Sequence, residues 1–121
     1  MKKRASDTKL EGAFPPPPVE ASELLVPITT WAEMFRETEF TGVEFDEFWY
    51  DSVEDGMAYF FRWMGKPRSA VLVVWDAKRP THIECRKGGD LLASADEAER
   101  IIAEVTLLFR NAGFWRYHLI H

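Results

Sequence analysis

The stretch Ser69-Ala70-Val71-Leu72-Val73-Val74-Trp75-Asp76 constrains the fold of this chain more than any other. Six consecutive apolar residues, three of them valine, lie between Gly65-Lys66-Pro67-Arg68 and Ala77-Lys78-Arg79-Pro80. Valine loses χ1 freedom in a helix and packs well on a pleated surface. A short apolar run between turn signals reads as a strand buried on both faces. The rest of the chain must then supply two layers to cover it.

The flanking segments suit that task. Met57, Tyr59, Phe61 and Trp63 alternate with Ala58, Phe60, Arg62 and Met64, which predicts a strand before the central one. Thr81–Arg86 predicts a strand after it, ended by Gly88-Gly89. Residues 95–111 read as a long amphipathic helix. Ser94 with Glu97 forms a capping box, and Ala98, Ile101, Ile102, Val105, Leu108, Phe109 and Ala112 make one apolar stripe. Phe114–His121 predicts a closing strand. A short helix is expected to open at Pro27-Ile28-Thr29-Thr30, with Thr30 and Glu33 as its capping box and its end near Thr38.

Residues 41–53 fit two patterns. Thr41 with Glu44 matches a capping box, and Phe45, Phe48, Trp49 and Val53 fit a helical stripe. Phe48-Trp49-Tyr50 has strand composition, and Asp55-Gly56 is a hairpin signal. The strand, from Phe45 to Val53, is preferred because another strand follows the turn. The predicted class is α+β: an antiparallel meander of four to five strands, a short N-terminal helix, a long helix on one sheet face and a C-terminal strand. Residues 1–26 are expected to form a flexible basic and proline-rich arm, and 27–121 a single domain.

Charge narrows the function. The net charge is −5, but residues 33–55 hold nine carboxylates against Arg36, and residues 56–87 carry a net of +5. Block asymmetry points to charged partners or to blocks that face each other. The chain has one cysteine, Cys85, too few for an internal disulfide, and it reads as a small buried hydrophobe. With no secretory segment at the N-terminus, a reducing, cytoplasmic setting without membrane attachment is expected. No phosphate-loop, dinucleotide or metal-ligand spacing occurs, so no cofactor or metal is expected.

The densest signal is acidic and aromatic together. Asp46, Glu47, Phe48, Trp49, Tyr50 and Asp51 combine apolar anchors with a charged rim, the pattern of a surface for a basic protein partner. The expected function is therefore a non-enzymatic binding domain, of the inhibitor, immunity or chaperone kind. Self-association into a homodimer stays open. The alternative is a metal-free nuclease or nucleic-acid binder. It would use the basic residues Arg62, Lys66, Arg68, Lys78, Arg79, Arg86 and Lys87 and a cluster of His82, Glu84, Arg116 and His118. An acidic domain with a pI near 5.2 argues against nucleic acid. A third option is a small-ligand pocket between the sheet and the long helix.

Overall fold

The valine-rich run forms β3 (Ser69–Trp75), the middle strand of a five-stranded sheet. The computed structural model describes residues 12–42, 45, 47–76 and 78–114, with Glu47 and Asp90 by their backbone alone. The other strands are β1 (Leu25–Ile28), β2 (Ala58–Trp63), β4 (Pro80–Lys87) and β5 (Leu91–Leu92). Their spatial order follows the sequence, and every neighbouring pair is antiparallel. Three α-helices complete the described fold, α1 (Trp31–Thr41), α2 (Glu47–Glu54) and α3 (Ala95–Asn111), with a short 3-10 turn at Gly88–Asp90. The architecture is α+β, with helices on both faces of the sheet.

Strand alternation sorts the core into two layers. Ala58 and Phe60 of β2 and Ala70 and Leu72 of β3 face α1 and α2, where they meet Trp31, Met34, Phe45 and Val53. Tyr59, Phe61, Trp63, Val71, Val73 and Cys85 face α3, where they meet Ile101, Val105 and Phe109. Val73 is fully buried, as a two-sided strand requires.

The long helix follows its expected bounds. Ser94 and Glu97 exchange both capping hydrogen bonds. The apolar stripe is narrower than its sequence suggests: Ile101, Val105 and Phe109 are buried, whereas Ile102 is 38% exposed. Ile102 lies about 100° around the helix from Ile101, so one helix face cannot seat both against a flat sheet.

Four expectations are corrected. The first concerns the N-terminal helix. Pro27 and Ile28 belong to β1, and α1 begins only at Trp31, with the Thr30 hydroxyl accepting from the Glu33 N–H at 3.0 Å. Pro27 is tolerated because β1 is an edge strand. The helix runs past Thr38 to Thr41 and stops at Gly42, whose φ of 75° is open to glycine.

The second concerns the arm. β1 crosses the expected boundary at residue 26, and Phe14 is 3% exposed, packed edge-on to Trp31 at 5.1 Å. Residues 12–26 therefore supply core to the sheet rather than a free spacer.

The third concerns Phe45–Val53, where α2 replaces the expected strand. Alternation would have put Glu47 and Asp51 on the same face as Phe45, Trp49 and Val53, burying carboxylates among rings. Helical spacing separates them: Trp49, Tyr50 and Val53 pack inward. The Asp55-Gly56 signal then ends a helix instead of turning a hairpin. Gly56 N–H donates to Val53 O at 3.1 Å and Met57 N–H to Ser52 O at 2.9 Å, with Gly56 at a φ of 76°. This is a Schellman closure.

The fourth concerns only the first residue of the expected closing strand. Phe114 is not in a strand; it packs edge-on against Trp75 at 5.3 Å. Residues 115–121 lie outside the described residues.

Candidate functional site

Helix α2 carries the acidic and aromatic stretch, and three contacts hold it. Tyr50 stacks on Trp31 with ring centroids 5.3 Å apart. Trp31 Nε1–H donates to Glu54 Oε2 at 3.1 Å, joining α1 to α2. Trp49 stacks on His82 of β4 with centroids 6.3 Å apart. Trp49 and Tyr50 are half-buried by these contacts, whereas Phe48 is 63% exposed.

Phe48, Asp51 and Asp55 recur at helical spacing and share the outward face. Asp51 and Asp55 are exposed and make no ion pair among the described residues. The Phe48 ring rests edge-on against Trp49, centroids 4.8 Å apart, so the exposed ring has a fixed backing. Of the six residues expected to bind a partner, the structure brings Phe48, Trp49, Tyr50 and Asp51 onto one short helix. Asp46 lies outside the described residues, and Glu47 contributes only its backbone position.

Three carboxylates of the acidic block are engaged within the fold. Glu33 accepts from Thr29 N–H at 2.9 Å, and Glu54 takes the Trp31 indole. Glu37 is 3% exposed and accepts from Arg68 Nη2 at 2.6 Å. Burial pushes the Glu37 carboxyl above its ordinary range, and Arg68 and then Arg62 oppose that shift without cancelling it. This pair joins the acidic block to the basic block inside the fold. It escaped the sequence reading because 31 residues separate the partners. A signal was present: Trp31, Met34, Glu37 and Thr41 are the buried positions of α1, so Glu37 sits on its apolar stripe.

At least three of the seven basic residues are committed within the chain as well. Arg68, Arg86 and Lys87 pair with Glu37, Glu84 and Glu97 of the same chain. The backbone N–H groups of Lys78 and Arg79 donate to Asp76 Oδ1 at 2.9 and 3.1 Å, which holds the Asp76 carboxyl below its ordinary range.

His82, Glu84 and Arg86 line the α2 side of β4. Arg86 Nε donates to Glu84 Oε2 at 2.6 Å, and His82 Nε2 stands 3.6 Å from Glu84 Oε1. Glu84 is thus engaged by its neighbours on the strand. Arg116 and His118, the other expected members, lie outside the described residues. Cys85 points to the α3 side, as its spacing from His82 requires. Burial, aided by the nearby Glu84 charge, pushes its thiol up to about 11, so it stays protonated at neutral pH and is a poor nucleophile.

Ile101, Val105 and Phe109 fill the contact between α3 and the sheet, where a small-ligand pocket was one expectation. A cavity of about 730 Å³ lies at the far end of α3, between Leu108, Asn111 and Ala112 and the segment Pro17–Ala21. Among the described residues, no helix is long and apolar enough to cross a membrane. No protein-family model, no curated protein and no solved structure matches the chain.

Proposed function

We propose that this chain is a protein-binding domain that presents the outer face of α2 to a basic partner segment. The observation that carries this reading is Phe48, a large ring 63% exposed beside Asp51 and Asp55, exposed carboxylates with no ion pair among the described residues. An apolar anchor with a charged rim gives affinity from the ring and encounter rate from the charges. The stacking of Trp49 and Tyr50 on His82 and Trp31 supports it further, because a braced helix loses little freedom on binding. The complementary partner carries lysines or arginines around an apolar pocket that accepts one ring.

The test starts with the full chain immobilised beside its Phe48→Ala, Asp51→Lys double variant. Proteins retained from a native extract by the first and not the second are identified and purified. Expected is a partner with a basic surface whose association slows with Asp51→Lys and with added salt, and whose dissociation speeds with Phe48→Ala. Identical retention by both baits sinks the proposal.

A further inference from the structure

A second surface feature lies on α1, built around the Glu37–Arg68 pair. Glu37 offers one oxygen, Oε1, to Arg68; the other, Oε2, is buried without a hydrogen-bond partner among the described residues. The Nε groups of Arg62 and Arg68 are also buried, with no hydrogen-bond partner among the described residues. All three residues line one open recess of about 470 Å³, completed by Arg36, Glu39 and Phe40. Phe40 is 69% exposed and lies under the Arg68 guanidinium, 4.7 Å from its ring centroid.

Buried polar groups without partners are uncommon, because each forfeits its hydration. Here the three residues that carry two such donors and one such acceptor all line the same recess. Its three arginines and two glutamates carry a formal charge of +1 at neutral pH. A bare cation is therefore disfavoured. Guanidinium groups favour phosphate and carboxylate oxygens as acceptors. A carboxylate oxygen with no partner demands a donor in return.

We propose that this recess binds a small oxyanion that carries its own hydrogen-bond donor. Its oxygens accept from Arg62 and Arg68, its O–H or N–H donates to Glu37 Oε2, and exposed Arg36 closes the outer side. Hydrogen phosphate and an amino-acid zwitterion share this chemistry. The site is separate from the outer face of α2 and does not depend on the reading given above.

The experiment titrates the full chain by calorimetry with four probes at matched ionic strength: inorganic phosphate, sulfate, glycine and acetate. Phosphate and sulfate share tetrahedral oxygens, but only phosphate keeps a proton to donate at neutral pH. Glycine and acetate share a carboxylate, but only glycine brings an ammonium. The expected result is saturable binding of phosphate or glycine with a Kd below about 1 mM, and binding of its donor-free counterpart weaker by about tenfold or more. Which probe binds tells the phosphate source from the amino-acid source. Arg62→Gln should weaken that binding about tenfold with an unchanged far-ultraviolet circular dichroism spectrum. Arg36→Ala, at an exposed position, tests the same site without risk to the core and should weaken it too. Phe48→Ala should leave it unaltered. Absence of saturable binding by both phosphate and glycine overturns the proposal, as does equal binding within each pair. Binding that survives both arginine substitutions overturns it as well.

Discussion

Trp49 lies nearly parallel to His82, its indole 19° from the plane of the imidazole, and this stack fastens the acidic helix to the fourth strand. The two residues are distant in the chain and belong to different elements. Their contact holds the backing ring against which Phe48 leans. His82→Ala should therefore destabilise the fold by about 0.5–1.5 kcal/mol, the range for one aromatic pair. Denaturant unfolding measures the loss. Hydrogen exchange should show it concentrated in α2, and a uniform change across the chain would mean that the stack does not hold the helix.

Adjacent isoleucines on α3 should behave differently. Ile101→Ala removes a fully buried side chain and should cost about 2–5 kcal/mol. Ile102→Ala truncates a side chain that stands largely outside the core and should cost no more than about 1 kcal/mol. Equal losses in thermal or denaturant unfolding would place both on one buried stripe.

Phe14 gives the N-terminal segment a measurable role. Its ring packs against Trp31 and Phe60, with centroids 5.1 and 6.1 Å away. Phe14→Ala should destabilise by about 3–5 kcal/mol, as for other buried phenylalanines. Deleting residues 1–22 should therefore lower the melting temperature, where a free arm would leave it unchanged. Calorimetric melting of the truncated chain checks this.

Glu37 should leave a signature in the pH dependence of stability. Its folded pKa is raised, chiefly by burial, so the folded state binds its proton more tightly than the unfolded state does. Its favourable contribution is present below the ordinary glutamate range. That contribution is lost as pH rises from that range through the raised value. Relative to Glu37→Gln, which cannot titrate, the wild type should lose stability across that window. Parallel urea titrations of the two proteins across the acidic range measure the difference. A difference that stays flat would show that Arg68 and Arg62 cancel burial, and one that runs the other way that they outweigh it.

Much of this molecule was legible in local pattern. The run Val71–Val74 required a strand covered on both sides, and the alternation of Met57–Met64 required its neighbour. Ser94 and Glu97 marked the start of α3, because a capping box involves residues three apart and no tertiary partner. The exposure of at least one ring among Phe48, Trp49 and Tyr50 also followed from spacing, since neither a regular strand nor a helix points three successive side chains one way.

Tertiary structure decided what local pattern left balanced. Residues 41–53 fitted strand and helix patterns at once. The helix prevails because only its geometry sends Trp49, Tyr50 and Val53 into the core while Asp51 stays in water. Leu25–Ile28 is too short to announce a strand, and it becomes one by pairing with β2. The Glu37–Arg68 pair had no local marker of its partner, because opposite charges find each other through the fold rather than along the chain. Short-range geometry is written in neighbouring residues. Which surfaces meet depends on burying apolar area without stranding charge, and that balance exists only once the sheet and helices are together.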